Sequence, residues 1–364
     1  EHTMFGVEIS EALKNGAMAN FYEENAHYYS GNNITESQKF LGVWAQAYIL
    51  KGYEYIKRKS PGTKVVISGW GSQVQLTPLL EGLDKTLPEE ITFSVLNPGQ
   101  GEYQHPAVFK EITEHREVWA IPWLEGDRAL WHPQPRVNKL RSHVKAAYQD
   151  NLDGVIGIHW RTEAIRPNFE AFAYFALNPT DTLSTSSFYY AYYKEKYGSM
   201  AARILSPFIA QIDSEEILRD LSSPEYFAYK SAYGRLNAEQ SQIFNKLISK
   251  VDQCLKAESD EYYASNLQWL KSNFEFVLLL DKVGRRLEPA WQLRDAVTKG
   301  EVTKAEIKER LPHVKNEFNK APIQRLFEVF AKRVRSRGEL GVLASLNQRV
   351  WGEYQMLDSF LKNI

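Results

Sequence analysis

Gly154-Val155-Ile156-Gly157-Ile158-His159-Trp160-Arg161-Thr162-Glu163 is an apolar run that stops at a cluster of imidazole, indole, guanidinium and carboxylate. Three earlier runs end the same way: Val65-Val66-Ile67-Ser68-Gly69-Trp70, Ile91-Thr92-Phe93-Ser94-Val95-Leu96-Asn97, and Val118-Trp119-Ala120-Ile121-Pro122-Trp123-Leu124-Glu125-Gly126-Asp127. Short apolar runs bounded by loop residues read as buried strands of a parallel sheet. Polar and aromatic groups at the C-terminal end of each strand are the pattern of an α/β chain of the (β/α)8 barrel type, which builds its site at that face.

Working outward, the stretch from Gly6 to about Thr180 alternates short apolar runs with segments of helical spacing, as parallel βα units do. Met4-Phe5-Gly6-Val7-Glu8-Ile9 reads as a further strand ahead of the other four. Thr35-Glu36-Ser37-Gln38 resembles a helix-capping start, followed by Phe40, Val43, Trp44, Ala47 and Tyr48 on one face of a helix that runs toward Lys59. Pro61-Gly62 ends it. Pro135 to Asn151 is a second clear helix, with Val137, Leu140, Val144 and Tyr148 on one side. Five strands are too few to close a barrel of eight, so the chain reads as the last five βα units. A start directly on a strand, with no leader, fits that reading.

Past Thr182 the pattern becomes helix after helix. Tyr262, Tyr263, Leu267, Leu270, Phe274 and Val277 form one apolar stripe, and Leu343, Leu346, Val350, Tyr354, Leu357 and Leu361 another. Gly234, Gly284, Gly300, Pro312 and Gly338 are expected to punctuate the helices. The expected organisation is residues 1–182 as the barrel portion and 183–364 as an all-helical C-terminal domain.

A formal net charge of −1 gives no electrostatic reason to expect nucleic acid or an anionic membrane as partner. No apolar stretch approaches the roughly 20 residues of a membrane span. The first residues do not look like a secretory signal, and an extracellular or periplasmic location is expected with any leader already removed. The single Cys254 excludes an intramolecular disulfide and a multi-cysteine metal site, and reads as a structural thiol. The basic run Lys332-Arg333-Val334-Arg335-Ser336-Arg337 reads as a solvated helix end. There is no P-loop, dinucleotide fingerprint or HExxH motif, and Glu102, His105 and His132 lack metal-ligand spacing, so neither cofactor nor metal is expected. Aromatic residues make up 13% of the chain, a usage that suits stacking on sugar rings as well as filling a core.

If the five strands are the last of a barrel, Glu8 ends the fourth, Trp70 the fifth, Asn97 the sixth, Glu125 and Asp127 the seventh, and His159 to Glu163 the eighth. Two carboxyl groups flanking a glycosidic bond suffice to cleave it, one protonating the departing oxygen and the other acting as nucleophile or as base for water. Glu8 sits in an apolar run, where desolvation would raise its pKa and suit it as the acid. Glu125 is then the nucleophile or base. Trp70, Asn97, Trp123, Asp127, His159, Trp160, Arg161 and Glu163 are the expected substrate-binding residues. The His159 and Arg161 pair suits either a charged substituent on the substrate or the holding of Glu125 or Glu163 in place.

The chain resembles barrel glycoside hydrolases with helical C-terminal domains, a group that includes alpha-glucuronidases, alpha-N-acetylglucosaminidases and beta-hexosaminidases. The resemblance rests on Gly69-Trp70-Gly71, on Trp119 to Asp127, and on Gly157-Ile158-His159-Trp160-Arg161, and it covers roughly residues 1–180. It implies removal of a sugar from a glycan end by carboxylates on late strands. The adjacent Asp-Glu pair that hexosaminidases carry after the fourth strand is replaced here by Gly6-Val7-Glu8-Ile9, which departs from substrate-assisted cleavage. The expectation is therefore an exo-acting glycoside hydrolase with a carbohydrate substrate, and with self-association through the helical domain as an option. The alternatives are a non-catalytic carbohydrate-binding barrel and a helical scaffold protein.

Overall fold

The computed structural model describes residues 18–30, 34–68, 79–96, 108–126, 132–161, 163–218 and 236–364. The strand expected at Met4–Ile9, and Glu8 with it, lies outside the described residues. The chain divides into two compact units, Glu1–Trp123 with Ser142–Ile158, and Leu124–Arg141 with His159–Ile364. The change of pattern near residue 182 therefore falls inside the second unit. Hydrophobic periodicity reports the type of each element, whereas the division reports which elements pack together.

The first unit is α/β. It contains α1 (Ala19–Asn25), a 3-10 turn (Ala26–Tyr29), α2 (Glu36–Lys59), β1 (Val66–Ser68), α3 (Leu80–Thr86), β2 (Thr92–Leu96), α4 (Val108–Ile112), β3 (Val118–Ile121), the part of α5 (Val137–Gln149) from Ser142 onward, and β4 (Gly154–Val155). Among the described residues the sheet has four strands, in the order β1-β2-β3-β4 and all parallel. Register places Ile67 beside Phe93, Phe93 beside Val118, and Ala120 beside Val155. The last strand is shorter than its apolar run suggests. Its neighbour β3 runs into Pro122, which has no N–H to give the ladder. Pairing resumes only at a single bridge between Trp123 and Ile158, where the Ile158 N–H donates to the Pro122 carbonyl at 3.1 Å.

The start of α2 is the capping box expected from sequence: the Gln38 N–H donates to Thr35 Oγ1 and the Thr35 N–H to Gln38 Oε1. Glu36 in its first turn and Lys57, Arg58 and Lys59 in its last complement the helix dipole. The helix packs its buried face, including Val43, onto a core of Tyr29, Leu80, Leu83, Phe93, Phe109 and Val118. Tyr29 is fully buried between Gly42 and Gly82, where any Cβ would stand 2.5 Å from the ring. Burial pushes its phenol up to about 12, and its hydroxyl donates to Gln46 Oε1 at 3.0 Å.

Arg116 fastens the chain around α3 and β2. Its five N–H donors are all used: Nε on Asp84 Oδ1 at 2.7 Å, Nη1 on the carbonyls of Pro88 and Ile91, and Nη2 on those of Asp84 and Leu87. The guanidinium also lies 4.4 Å over the Phe93 ring. A buried charge this fully bonded avoids the desolvation penalty that an isolated one would carry.

The second unit is helical apart from the segment that enters it after β3. It holds the start of α5, a 3-10 turn (Glu163–Ile165), α6 (Arg166–Leu177), α7 (Thr185–Ile204), α8 (Ser206–Ser214), α9 (Ala238–Ala257), α10 (Glu261–Thr298), α11 (Lys304–Asn319), α12 (Ile323–Ala331), α13 (Arg337–Leu346), a π turn (Asn347–Trp351) and α14 (Gly352–Asn363). Both apolar stripes read from sequence supply core residues, among them Phe274, Val277, Leu346, Val350 and Leu357, while Tyr262 is exposed. Asn237, Asp260, Thr303 and Ser184 cap the N-termini of α9, α10, α11 and α7 through their side chains.

The expected punctuation is corrected in three places. Gly284 is buried inside α10, Pro312 lies inside α11, and Gly338 lies in the first turn of α13. In α10 the packing of a long buried face outweighs one residue of poor helix propensity. Gly300 does end a helix: at φ 69° it closes α10, with its N–H on the Val297 carbonyl and that of Glu301 on the Ala296 carbonyl. Gly234 lies outside the described residues. Cys254 is buried with a free thiol. Among the described residues no helix is long and apolar enough to cross a membrane.

Candidate functional site

Of the site residues expected from sequence, Glu8, Trp70, Asn97 and Asp127 lie outside the described residues. Trp123 is half-buried and bridges Ile158 in the first unit. Glu125, His159, Trp160, Arg161 and Glu163 belong to the second unit, and there the structure joins Glu125 to Arg161.

Glu125 is 0% exposed and its two oxygens accept three hydrogen bonds. Oε1 takes the backbone N–H groups of Trp160 at 2.7 Å and Arg161 at 2.5 Å, and Oε2 takes Arg161 Nε at 2.6 Å. Arg161 is 1% exposed, and its Nη2 donates to the His132 carbonyl at 3.1 Å. Next to Glu125, Gly126 is held at both its N–H and its carbonyl by the Gln134 amide. Asn168 donates to the carbonyls of Leu124 and Gln134. The loop after β3 is thus fixed by side-chain amides on one side and a buried ion pair on the other. A nucleophile or base needs a lone pair facing the reacting atom, and the Glu125 oxygens are committed to N–H groups of its own chain.

The other residues of the segment differ from one another. Trp160 is 40% exposed. His159 is half-buried, with Nδ1 3.0 Å from the Arg161 carbonyl oxygen and its ring edge-on to Phe169. Strand alternation does not extend here, because β4 has ended and residues 159–161 follow a turn shaped by the Glu125 carboxylate. Glu163 is half-buried and paired with Arg166, with Oε2 3.0 Å from Arg166 Nε.

Around this pair the helical unit contributes groups that sequence reading did not place at the site. The run Lys332 to Arg337 is not a wholly solvated helix end: Arg333 is buried. Its guanidinium lies over the Phe276 and Phe330 rings and its Nε donates to Asn273 Oδ1 at 2.8 Å. Burial, and then the Arg161 charge, bring the Arg333 pKa down to about 9. His132 is fully buried, and burial followed by the charges of Arg161 and Arg333 holds its imidazole neutral down to about 3. Glu339 is buried and accepts from the Ala164 N–H and from Ser336 Oγ. Trp269, whose Nε1 donates to the Arg333 carbonyl, and Tyr197 complete the surroundings. The local signals for these groups were an Arg within a basic run and a His without metal-ligand spacing. Among the described residues no group of His, Cys, Asp and Glu has the arrangement to hold a metal ion.

Elsewhere in this unit Asp213 lines a small pocket and accepts from the Asn138 N–H at 3.0 Å and Tyr189 Oη at 2.9 Å. Burial raises its pKa from 3.8 to about 6. A carboxyl raised on folding stabilises the fold while protonated, and that contribution is lost as pH rises from 3.8 through about 6. Melting curves of Asp213→Asn and the wild-type chain are expected to shift relative to each other in favour of the variant across that window. A pH-independent difference would contradict the assignment.

No protein-family model matches the chain, and no curated protein matches it.

Proposed function

We propose that the chain is a glycoside hydrolase that removes sugars from the end of a polysaccharide or complex glycan, built on the last five βα units of a (β/α)8 barrel and a helical domain. The observation that carries this reading is the sheet, whose strands lie side by side in chain order and all parallel, as consecutive units of such a barrel do. The segments following β3 and β4 then supply the carboxylate, indole, imidazole and guanidinium groups that sugar chemistry uses.

In this reading Glu8 is the general acid. The second reacting carboxyl falls to Asp127, across Gly126 from Glu125, because the Glu125 oxygens already hold three N–H groups. Glu125 is a positioning residue that sets the turn bearing His159, Trp160 and Arg161. Trp70, Asn97, Trp123, His159, Trp160 and Glu163 serve sugar binding.

One observation favours a second reading, a carbohydrate-binding barrel without catalysis: Glu125 is fully buried and both its oxygens already accept N–H groups of Trp160 and Arg161, which takes one expected acid away from a substrate. A panel of polysaccharides and glycans separates the two. Release of reducing ends or free monosaccharide from at least one member is expected; calorimetric binding without release would support the second reading, and neither binding nor release would sink both.

A further inference from the structure

The helical unit carries an arrangement that the proposed sugar cleavage leaves unused. His132 is fully buried, and among the described residues neither nitrogen of its imidazole has a hydrogen-bond partner. Arg161 spends Nε on Glu125 and Nη2 on the His132 carbonyl, while its buried Nη1 has no partner among the described residues. Both side chains line one pocket, which Arg333 and Trp269 also border. Buried polar groups are rarely left without a bond, because desolvating them is costly unless a partner replaces water.

The sign of the missing partner follows from the donors. Arg161 Nη1 can only donate, and a neutral imidazole presents one N–H and one lone pair. The charges acting on the His132 ring are those of Arg161 and Arg333, both cationic. Of the carboxylates nearby, Glu125 is paired with Arg161 and Glu163 with Arg166, while Glu339, bonded to the neutral Ser336 hydroxyl and Ala164 N–H, also acts on Arg333. What Arg161 Nη1 and the His132 N–H lack is an acceptor, which the oxygens of a small anion would supply.

A second pocket shares Glu163, Tyr197 and Trp269 with the first and is bordered by Arg166, Lys196 and Arg335. Arg335 donates to neutral acceptors, Asn266 Oδ1 at 2.8 Å and the Ser265 carbonyl at 3.3 Å, and lies 4.9 Å over the Trp269 ring. Its charge therefore adds a positive field beside the shared wall, which raises the local concentration of anions.

We propose that the cavity bordered by His132 and Arg161 binds a small oxyanion, a carboxylate, phosphate or sulfate group, that accepts from Arg161 Nη1 and from the His132 N–H. Such charge-assisted bonds to a guanidinium are short and strong. The inference stands apart from the sugar-cleaving reading, since that reading gives no role to Arg161 Nη1 or the His132 ring. Water also fills polar cavities, so the test must separate an anion from water.

The full chain is titrated with sodium phosphate, sodium sulfate or sodium acetate at ionic strength held constant with sodium chloride, following the melting temperature and the ¹⁵N resonances of the histidine side chains. The expected result is a saturable rise in melting temperature, with the His132 resonances moving at the same midpoint. His132→Phe, which removes the imidazole donor, is expected to lose both responses, and Arg335→Gln to weaken the midpoint several-fold. Response to acetate alone assigns the site to a carboxylate-bearing ligand, and response to phosphate and sulfate alone to a tetrahedral anion. No saturable movement of the His132 resonances with any of the three salts in the wild-type chain would overturn the proposal, whatever the variants do.

Discussion

Glu125→Ala is expected to lower the stability of the helical unit by about 3–5 kcal/mol, the usual cost of removing one partner from a buried ion pair. The variant leaves Arg161 as a buried guanidinium with no counter-charge, and it strips the N–H groups of Trp160 and Arg161 of their acceptor. Glu125→Gln should recover part of the loss, because its carbonyl can still take the two backbone donors while its amide opposes Arg161 Nε. Glu125→Leu combined with Arg161→Met removes the stranded charge and is expected to be more stable than Glu125→Ala, since apolar replacement of a buried pair is often close to neutral. Urea unfolding at neutral pH measures all three. Equal stability of Glu125→Ala and the wild-type chain would show that the pair does not hold the loop.

Arg116→Ala is the second large effect and falls in the α/β unit. It removes five hydrogen bonds at once, four of them to backbone carbonyls around α3 and the start of β2, and leaves Asp84 without its guanidinium. A loss of about 3–5 kcal/mol is expected by the same reasoning. Arg116→Lys distinguishes charge from geometry: an ammonium has three donors and leaves at least two acceptors unmet, so it should recover a minority of the stability. Full recovery by Lys would mean that charge alone matters there.

Some of this was legible in the sequence. Local rules located the β1, β2 and β3 runs and the Thr35 capping box, because runs of branched residues and a hydroxyl three residues before a Gln act over a few positions. The helical character past residue 182 was readable from apolar stripes for the same reason. The burial of Arg333 was not, since the rings that cover it come from Phe276 and Phe330 on other elements. Nor could spacing show that Gly284 and Pro312 lie within helices, because tertiary packing overrides a local penalty. The pairing of Arg161 with Glu125 was one of two roles open to that Arg on chemistry alone. Choosing between them required knowing that Oε1 faces the backbone of residues 160 and 161. His132 was noticed as a metal candidate and set aside, and its buried position beside two guanidinium groups has no local signature.

The most direct test of the sugar-cleaving account is kcat/KM for release of a terminal sugar by the wild-type chain and by Glu8→Gln, with circular dichroism showing that both are folded. Loss of a general acid predicts a decrease of roughly 10²–10⁴-fold in the variant. Undiminished turnover by Glu8→Gln would contradict the account.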